Sequence, residues 1–216
     1  MTHRVQAVIS DFGGVLTSPL ADSFQAFQDT SDVPLEELGK AMAAIGIRLG
    51  VNPLFELETG RLGEVEFLRQ IGEQLSEQLG REVDMAGFGE RYFAHLEPNE
   101  PMIGYMRELR ERGYKLAICT NNVREWEQRW RGMLPVDEIF DVVVDSAFVG
   151  ARKPEPRIYE LTLEALGVDA GAALLIDDIE ANCAGARALG IHAVWFRSSE
   201  QAIADTEAAL TERPGG

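Results

Sequence analysis

The run Val5-Gln6-Ala7-Val8-Ile9-Ser10-Asp11-Phe12-Gly13-Gly14-Val15-Leu16 begins as a short apolar strand and then breaks into an aspartate and a glycine pair. Its length and apolar enrichment predict a buried strand that delivers Asp11 to its carboxyl end. Four later runs have the same build: Lys115-Leu116-Ala117-Ile118-Cys119, Val142-Val143-Val144, Ala173-Leu174-Leu175-Ile176 and Ala193-Val194-Trp195-Phe196. Helical patterns separate them. Pro101 sits where a helix can begin, Met102, Met106 and Leu109 recur at i, i+4 and i+7, and Gly113 follows as the stop. Pro154 and Pro156 likewise precede Ile158, Leu161 and Ala165, with Gly167 as the stop, and Asn182 to Leu189 forms a short helix ended by Gly190. From about residue 98 onward this strand–helix alternation predicts an α/β fold with a doubly wound parallel sheet.

The segment between the first and second strands reads differently. It holds no convincing strand, but helix-period stretches run from Leu35 to Leu49, Glu64 to Leu79 and Phe88 to Leu96, with Gly60 and Gly80 as punctuation. The expected organisation is a Rossmann-like core of residues 1–16 and 97–216, interrupted by a helical insertion at 17–96. The tail Arg213-Pro214-Gly215-Gly216 reads as disordered.

Composition limits the partners. The 216 residues include 20 Lys plus Arg against 36 Asp plus Glu, a formal charge of −16. That field disfavours nucleic acid and anionic membrane surfaces. No apolar run approaches the ~18–20 residues of a membrane span, and the apolar start is too short for a signal-peptide core. Cys119 and Cys183 read as reduced, buried apolar residues, so a cytoplasmic location is expected.

In an open parallel sheet, ligands bind beyond the carboxyl ends of the strands. There the sequence places Asp11 after the first strand, Thr120-Asn121-Asn122 after the second, Arg152-Lys153 after the third and Asp177-Asp178 after the fourth. A lone aspartate after a strand reads as a turn or cap residue; the set at four strand ends reads as a site. Carboxylates about 4 Å apart repel by roughly 4 kcal/mol per pair at an effective dielectric near 20. Such a cluster takes up protons or a cation, and oxygen ligands without histidine or cysteine favour Mg2+, which also binds phosphate.

These motifs resemble the four ordered motifs of the haloacid dehalogenase superfamily: Asp11-Phe12-Gly13-Gly14-Val15-Leu16-Thr17, Cys119-Thr120-Asn121, Arg152-Lys153-Pro154 and Leu175-Ile176-Asp177-Asp178-Ile179-Glu180-Ala181-Asn182. They look most like the branch containing the amino-terminal phosphatase domain of soluble epoxide hydrolase and sugar-phosphate phosphatases. The resemblance implies a helical cap at the insertion and a Mg2+-dependent phosphatase for a small phosphorylated metabolite. It implies Asp11 as the nucleophile that forms an aspartyl-phosphate, and Thr120, Asn121 and Lys153 as phosphate-binding groups. It further implies Asp11, Asp178 and the Gly13 carbonyl as metal ligands, Asp177 as a ligand through water or an orienting group, and Asn182 as an orienting residue.

One position departs from the pattern. Most phosphatases of the superfamily carry a second aspartate, the general acid and base, where this chain has Gly13. General acid–base catalysis is typically worth about 10²–10⁴-fold. Three readings stay open: a substrate with a good leaving group, a substitute acid from elsewhere, or a weak catalyst that mainly binds phosphate. A 2-haloacid dehalogenase also lacks the second aspartate, but its Asp-x-Tyr-Gly-Thr pattern is absent and the Asp177-Asp178 pair fits a metal site better. A regulatory phosphate-binding module is the alternative of a different class. Among other residues, His95 reads as a hinge or surface residue before a substitute acid, Trp126 and Trp130 as packing before an entrance lining, and Arg152 as a solvated arginine. His3 and His192 have no argued role.

Overall fold

The computed structural model describes residues 4–31 and 33–211. His3 and the tail from 213 therefore lie outside the described residues. The sheet comprises β1 (Ala7–Ser10), β2 (Lys115–Thr120), β3 (Val142–Asp145), β4 (Ala173–Asp177) and β5 (His192–Trp195). All pairings are parallel and the order is β3-β2-β1-β4-β5, so β1 is central and its carboxyl end lies between those of β2 and β4. Each predicted strand is present, with ends that move by one or two residues.

Side chains alternate across the central strands as the two-residue period of a pleated sheet requires. Val8, Leu116, Ile118, Leu174 and Ile176 face one apolar layer, which includes Met102, Met106, Leu109 and Trp130. Ala7, Ile9, Ala117, Cys119, Ala173 and Leu175 face the other, which includes Ile158, Tyr159 and Ala186. Because both faces are covered, these strands read as continuous apolar runs.

Among the described residues, five helices fill the insertion: α1 (Leu20–Ser31), α2 (Leu35–Leu49), α3 (Pro53–Glu58), α4 (Glu64–Leu79) and α5 (Phe88–Ala94). The predicted bounds of α2 and α4 hold, whereas α5 stops before His95. Pro53 starts α3 with Asn52 accepting a cap hydrogen bond from Leu54 N at 3.0 Å. The insertion has its own apolar core, including Leu38, Ile45, Phe67, Ile71 and Leu75. Where the chain leaves and re-enters the sheet region, Thr17 and Pro98 form an antiparallel bridge, with Ser18 N donating to Glu97 O at 2.7 Å and Asn99 N to Leu16 O at 2.9 Å.

Among the described residues, seven α-helices complete the fold: α6 (Glu100–Glu111), α7 (Glu127–Arg131), α8 (Val136–Ile139), α9 (Ser146–Val149), α10 (Pro156–Leu166), α11 (Glu180–Ala188) and α12 (Ser199–Thr211). The short helices α7 to α9 lack the apolar repeat that makes a longer helix legible in sequence. Among the described residues, no helix is long and apolar enough to cross a membrane.

Candidate active site

The chain reverses just beyond β1, where Gly14 adopts φ 78° and a Cβ would collide with Asp178 Oδ2. Glycine thus meets both a backbone and a space requirement, letting the β1 and β4 ends approach. Asp11 itself is buried and accepts from Phe12 N at 2.6 Å.

Asp11, Asp177 and Asp178 each offer an oxygen within 4.8 Å of the others. Lys153 enters this group from the loop after α9, with Nζ 2.9 Å from Asp11 Oδ1 and 2.6 Å from Asp177 Oδ2. It is only 1 % exposed, so its charge is committed to the cluster. Three carboxylates against one ammonium leave a formal −2 when all are ionised. Burial drives the Asp11 carboxyl up to about 7, with Lys153 opposing and Asp177 and Asp178 adding to the rise. Burial, followed by Asp177, raises Asp178 as well. Desolvation pulls Lys153 down, but Asp11 and Asp177 outweigh it and hold the ammonium above its ordinary range. A divalent cation fits this all-oxygen, underbalanced set, and hard oxygen donors suit Mg2+.

The surrounding groups fix orientation. Asp177 accepts from Ile179 N and Asn182 Nδ2, each at 2.9 Å, in addition to Lys153. The Asn182 carbonyl is in turn held by Tyr159 Oη at 2.8 Å. Asn121 grips the backbone of Lys153 twice: Nδ2 donates to the carbonyl at 3.0 Å, and Oδ1 accepts from the amide at 2.8 Å. Its side chain therefore holds the lysine loop. Thr120 ends β2, buried at 2 % exposure, in register with Asp145.

A chamber of about 300 Å³ lies between this sheet edge and the insertion. On the sheet side its wall includes Phe12, Gly13, Thr120 and Asn121; on the insertion side it includes Leu57, Ile71, Phe88 and Tyr92. Trp126 and Trp130 also line it, the first half-buried and stacked 5.1 Å from Tyr92, the second fully buried against Phe12 at 4.9 Å. His95 is exposed at the end of α5, outside the lining, and His192 is exposed on β5.

The expectation of a solvated Arg152 is corrected. Its side chain is 13 % exposed, Nε lies 2.6 Å from Glu58 Oε2 at the end of α3, and the guanidinium sits 3.8 Å above the Phe55 ring. Burial raises the Glu58 carboxyl despite that arginine. Ser146 Oγ donates to Glu58 O, and Trp126 Nε1 donates to Glu64 Oε1 at 2.8 Å. These links between insertion and sheet escaped the sequence reading because their partners lie 62 to 94 positions apart. Tyr92 was missed because an aromatic in an amphipathic helix reads as core.

The haloacid dehalogenase-like hydrolase family pattern matches residues 5–190. "Phosphatase MT3486" of Mycobacterium tuberculosis is 32 % identical over 201 residues, covering 91 % of this chain and 89 % of that protein. Mouse "Acyl-CoA dehydrogenase family member 10" is 30 % identical over 212 residues, covering 95 % of this chain but 19 % of that protein. "Glyceraldehyde 3-phosphate phosphatase" of Pyrococcus abyssi is 38 % identical over 108 residues, covering 49 % of this chain and 44 % of that protein. The chain thus spans less than half the length of two of these relatives. Among solved structures, a predicted hydrolase of the same kind from Porphyromonas gingivalis aligns at TM-score 0.69 with 25 % identity, covering 98 % of this chain and 100 % of that one. An enzyme from Bacteroides thetaiotaomicron in complex with magnesium and inorganic phosphate aligns at 0.63 with 23 % identity, covering 88 % and 93 %, a likeness of fold alone.

Proposed function

Because the chain belongs to the haloacid dehalogenase-like hydrolases, we propose that it is a Mg2+-dependent phosphatase of a small phosphorylated metabolite, acting through an aspartyl-phosphate on Asp11. The observation that carries this reading is the cluster of buried Asp11 and Asp177 and half-buried Asp178 with one lysine, a site whose charge calls for a cation. The phosphatases among the relatives and the magnesium and phosphate of the Bacteroides enzyme support it.

In this reading residues 1–16 and 97–216 form the catalytic core and 17–96 the cap. Asp11, Asp178 and the Gly13 carbonyl hold Mg2+, with Asp177 engaged through water or as an orienting group. When bound, Mg2+ supplies positive charge to the phosphoryl oxygens. The Asp11 carboxylate attacks phosphorus, and an ionised carboxylate needs no base to do so. Thr120 donates its hydroxyl to a phosphoryl oxygen, and Lys153 offsets the charge that nucleophile and phosphate bring together. Asn121 acts on phosphate by fixing Lys153. Gly13 supplies no acid two residues beyond the nucleophile. The two buried, free cysteines support the cytoplasmic location expected from sequence.

Acetyl phosphate tests this directly, because it is small and its leaving group needs no proton. Hydrolysis is expected with Mg2+, abolished by EDTA, and reduced by about 10³-fold or more in Asp11→Asn. Equal activity in wild type and Asp11→Asn would overturn the assignment.

A further inference from the structure

Apart from Thr120, assigned above to the phosphoryl group, the acid and amide side chains of the chamber wall each already have a partner in the protein. Glu58 accepts from Arg152 at 2.6 Å and Glu64 from Trp126 at 2.8 Å. Asn121 is spent on the Lys153 backbone, and Asn122 Oδ1 accepts from Val123 N at 2.8 Å. Hydroxyls of a triose or sugar would leave water for a wall with few open partners, a loss that disfavours them. Facing that space, Phe88, Tyr92 and Trp126 stand nearly parallel, each pair at 25° between planes, with Phe93 edge-on to Trp126 at 84°. Such a wall suits a flat apolar ring. A volume of about 300 Å³ suits a compact body.

The wall also bears on the leaving group. Gly13 has no side chain to give a proton, and of the two carboxyls in the chamber wall Glu58 faces Arg152 and Glu64 accepts from the Trp126 N–H. A phenolate, with a phenol pKa of about 10, asks far less of a proton donor than the more basic alkoxide of an alkyl ester.

We propose, resting on the phosphatase reading above, that the substrate is an aryl phosphate: a phosphate monoester of a compact, apolar phenol seated against the Phe88–Tyr92–Trp126 wall. An Asp11 oxygen forms the bond to phosphorus as the P–O(aryl) bond breaks. The electron pair leaves on the phenolate oxygen, which takes a proton from water. A water oxygen then attacks the phosphoaspartate, returning the Asp11 carboxylate and releasing inorganic phosphate, so the sum is ester plus water giving phenol plus phosphate.

The test compares kcat/KM of the full chain with Mg2+ on 1-naphthyl, 4-carboxyphenyl and benzyl phosphates, with acetyl phosphate as reference. The carboxyphenyl ester keeps an aryl leaving group but brings a charge into the chamber; the benzyl ester keeps the apolar ring but must expel an alkoxide. A preference for 1-naphthyl phosphate of about tenfold over the first and about 10²-fold over the second is expected. Either ratio near one, alongside Asp11-dependent hydrolysis of acetyl phosphate, overturns the substrate class and leaves the phosphatase reading standing. No Asp11-dependent hydrolysis of any of the four overturns both.

Discussion

The sheet edge and the chamber beside it are incomplete in opposite ways. At the edge, Asp11, Asp177, Asp178 and Lys153 crowd charge into a buried space and remain short of positive charge. In the chamber, the polar side chains are largely matched to one another and what remains is apolar space. An electrostatic demand is met by a compact cation and a phosphoryl group; apolar space is met by the body of a substrate. In the proposed function, chemistry and selectivity would thus rest on different physics in different segments of the chain, the first on strand ends and the second on the insertion.

Breaking the charged side should have the largest effect. Lys153→Met strands buried carboxylates without their ammonium, and a loss of about 3–5 kcal/mol in unfolding free energy is expected by denaturant titration. A change below about 1 kcal/mol would mean that the cluster is neutral without the lysine. Gly14→Ala forces a side chain into a left-handed backbone position and against Asp178. It should cost about 1–3 kcal/mol and weaken Mg2+ binding by calorimetry, while leaving the chamber side intact.

Protons should compete with the cation at the charged side. The Asp11 carboxyl is raised to about 7 in the metal-free fold, above its unfolded value of 3.8, so the folded state binds that proton more tightly. Metal-free stability should therefore fall as pH rises from about 4 to about 7, the reverse of a salt-bridged carboxylate. Mg2+ needs the ionised form, so its apparent affinity should drop by about tenfold per pH unit below 7, and its stabilising effect on Tm should be greater at pH 8 than at pH 5.5. A Mg2+ effect independent of pH would break this linkage.

The smallest effect should come from the joint between the two regions. Glu58→Gln removes the charge facing Arg152 and should cost about 1 kcal/mol, because the pair is only partly buried. Its informative readout is KM for the aryl ester, which should change more than Asp11-dependent turnover of acetyl phosphate if Glu58 shapes the chamber.

The residues gathered at the sheet edge were legible because each depends on local pattern. An apolar run ending in Asp11, or in Asp177-Asp178, announces both a buried strand and what its end delivers. Glu58 and Arg152 could not be paired in the same way: each is an ordinary charged residue in its own segment, and only folding brings them together across 94 positions. The same holds for Trp126, which packs as expected and also walls the chamber.

The sequence by itself determined the layered α/β core, the helical nature of the insertion and the set of residues at the strand ends, since hydrophobic period and turn chemistry act over a few residues. Only the tertiary structure decided that Asn121 grips the lysine loop, that Arg152 is tied to the insertion and that the space beside Thr120 is walled by aromatic rings. Those outcomes depend on which helix faces meet, and packing between distant segments leaves no period in the chain to read.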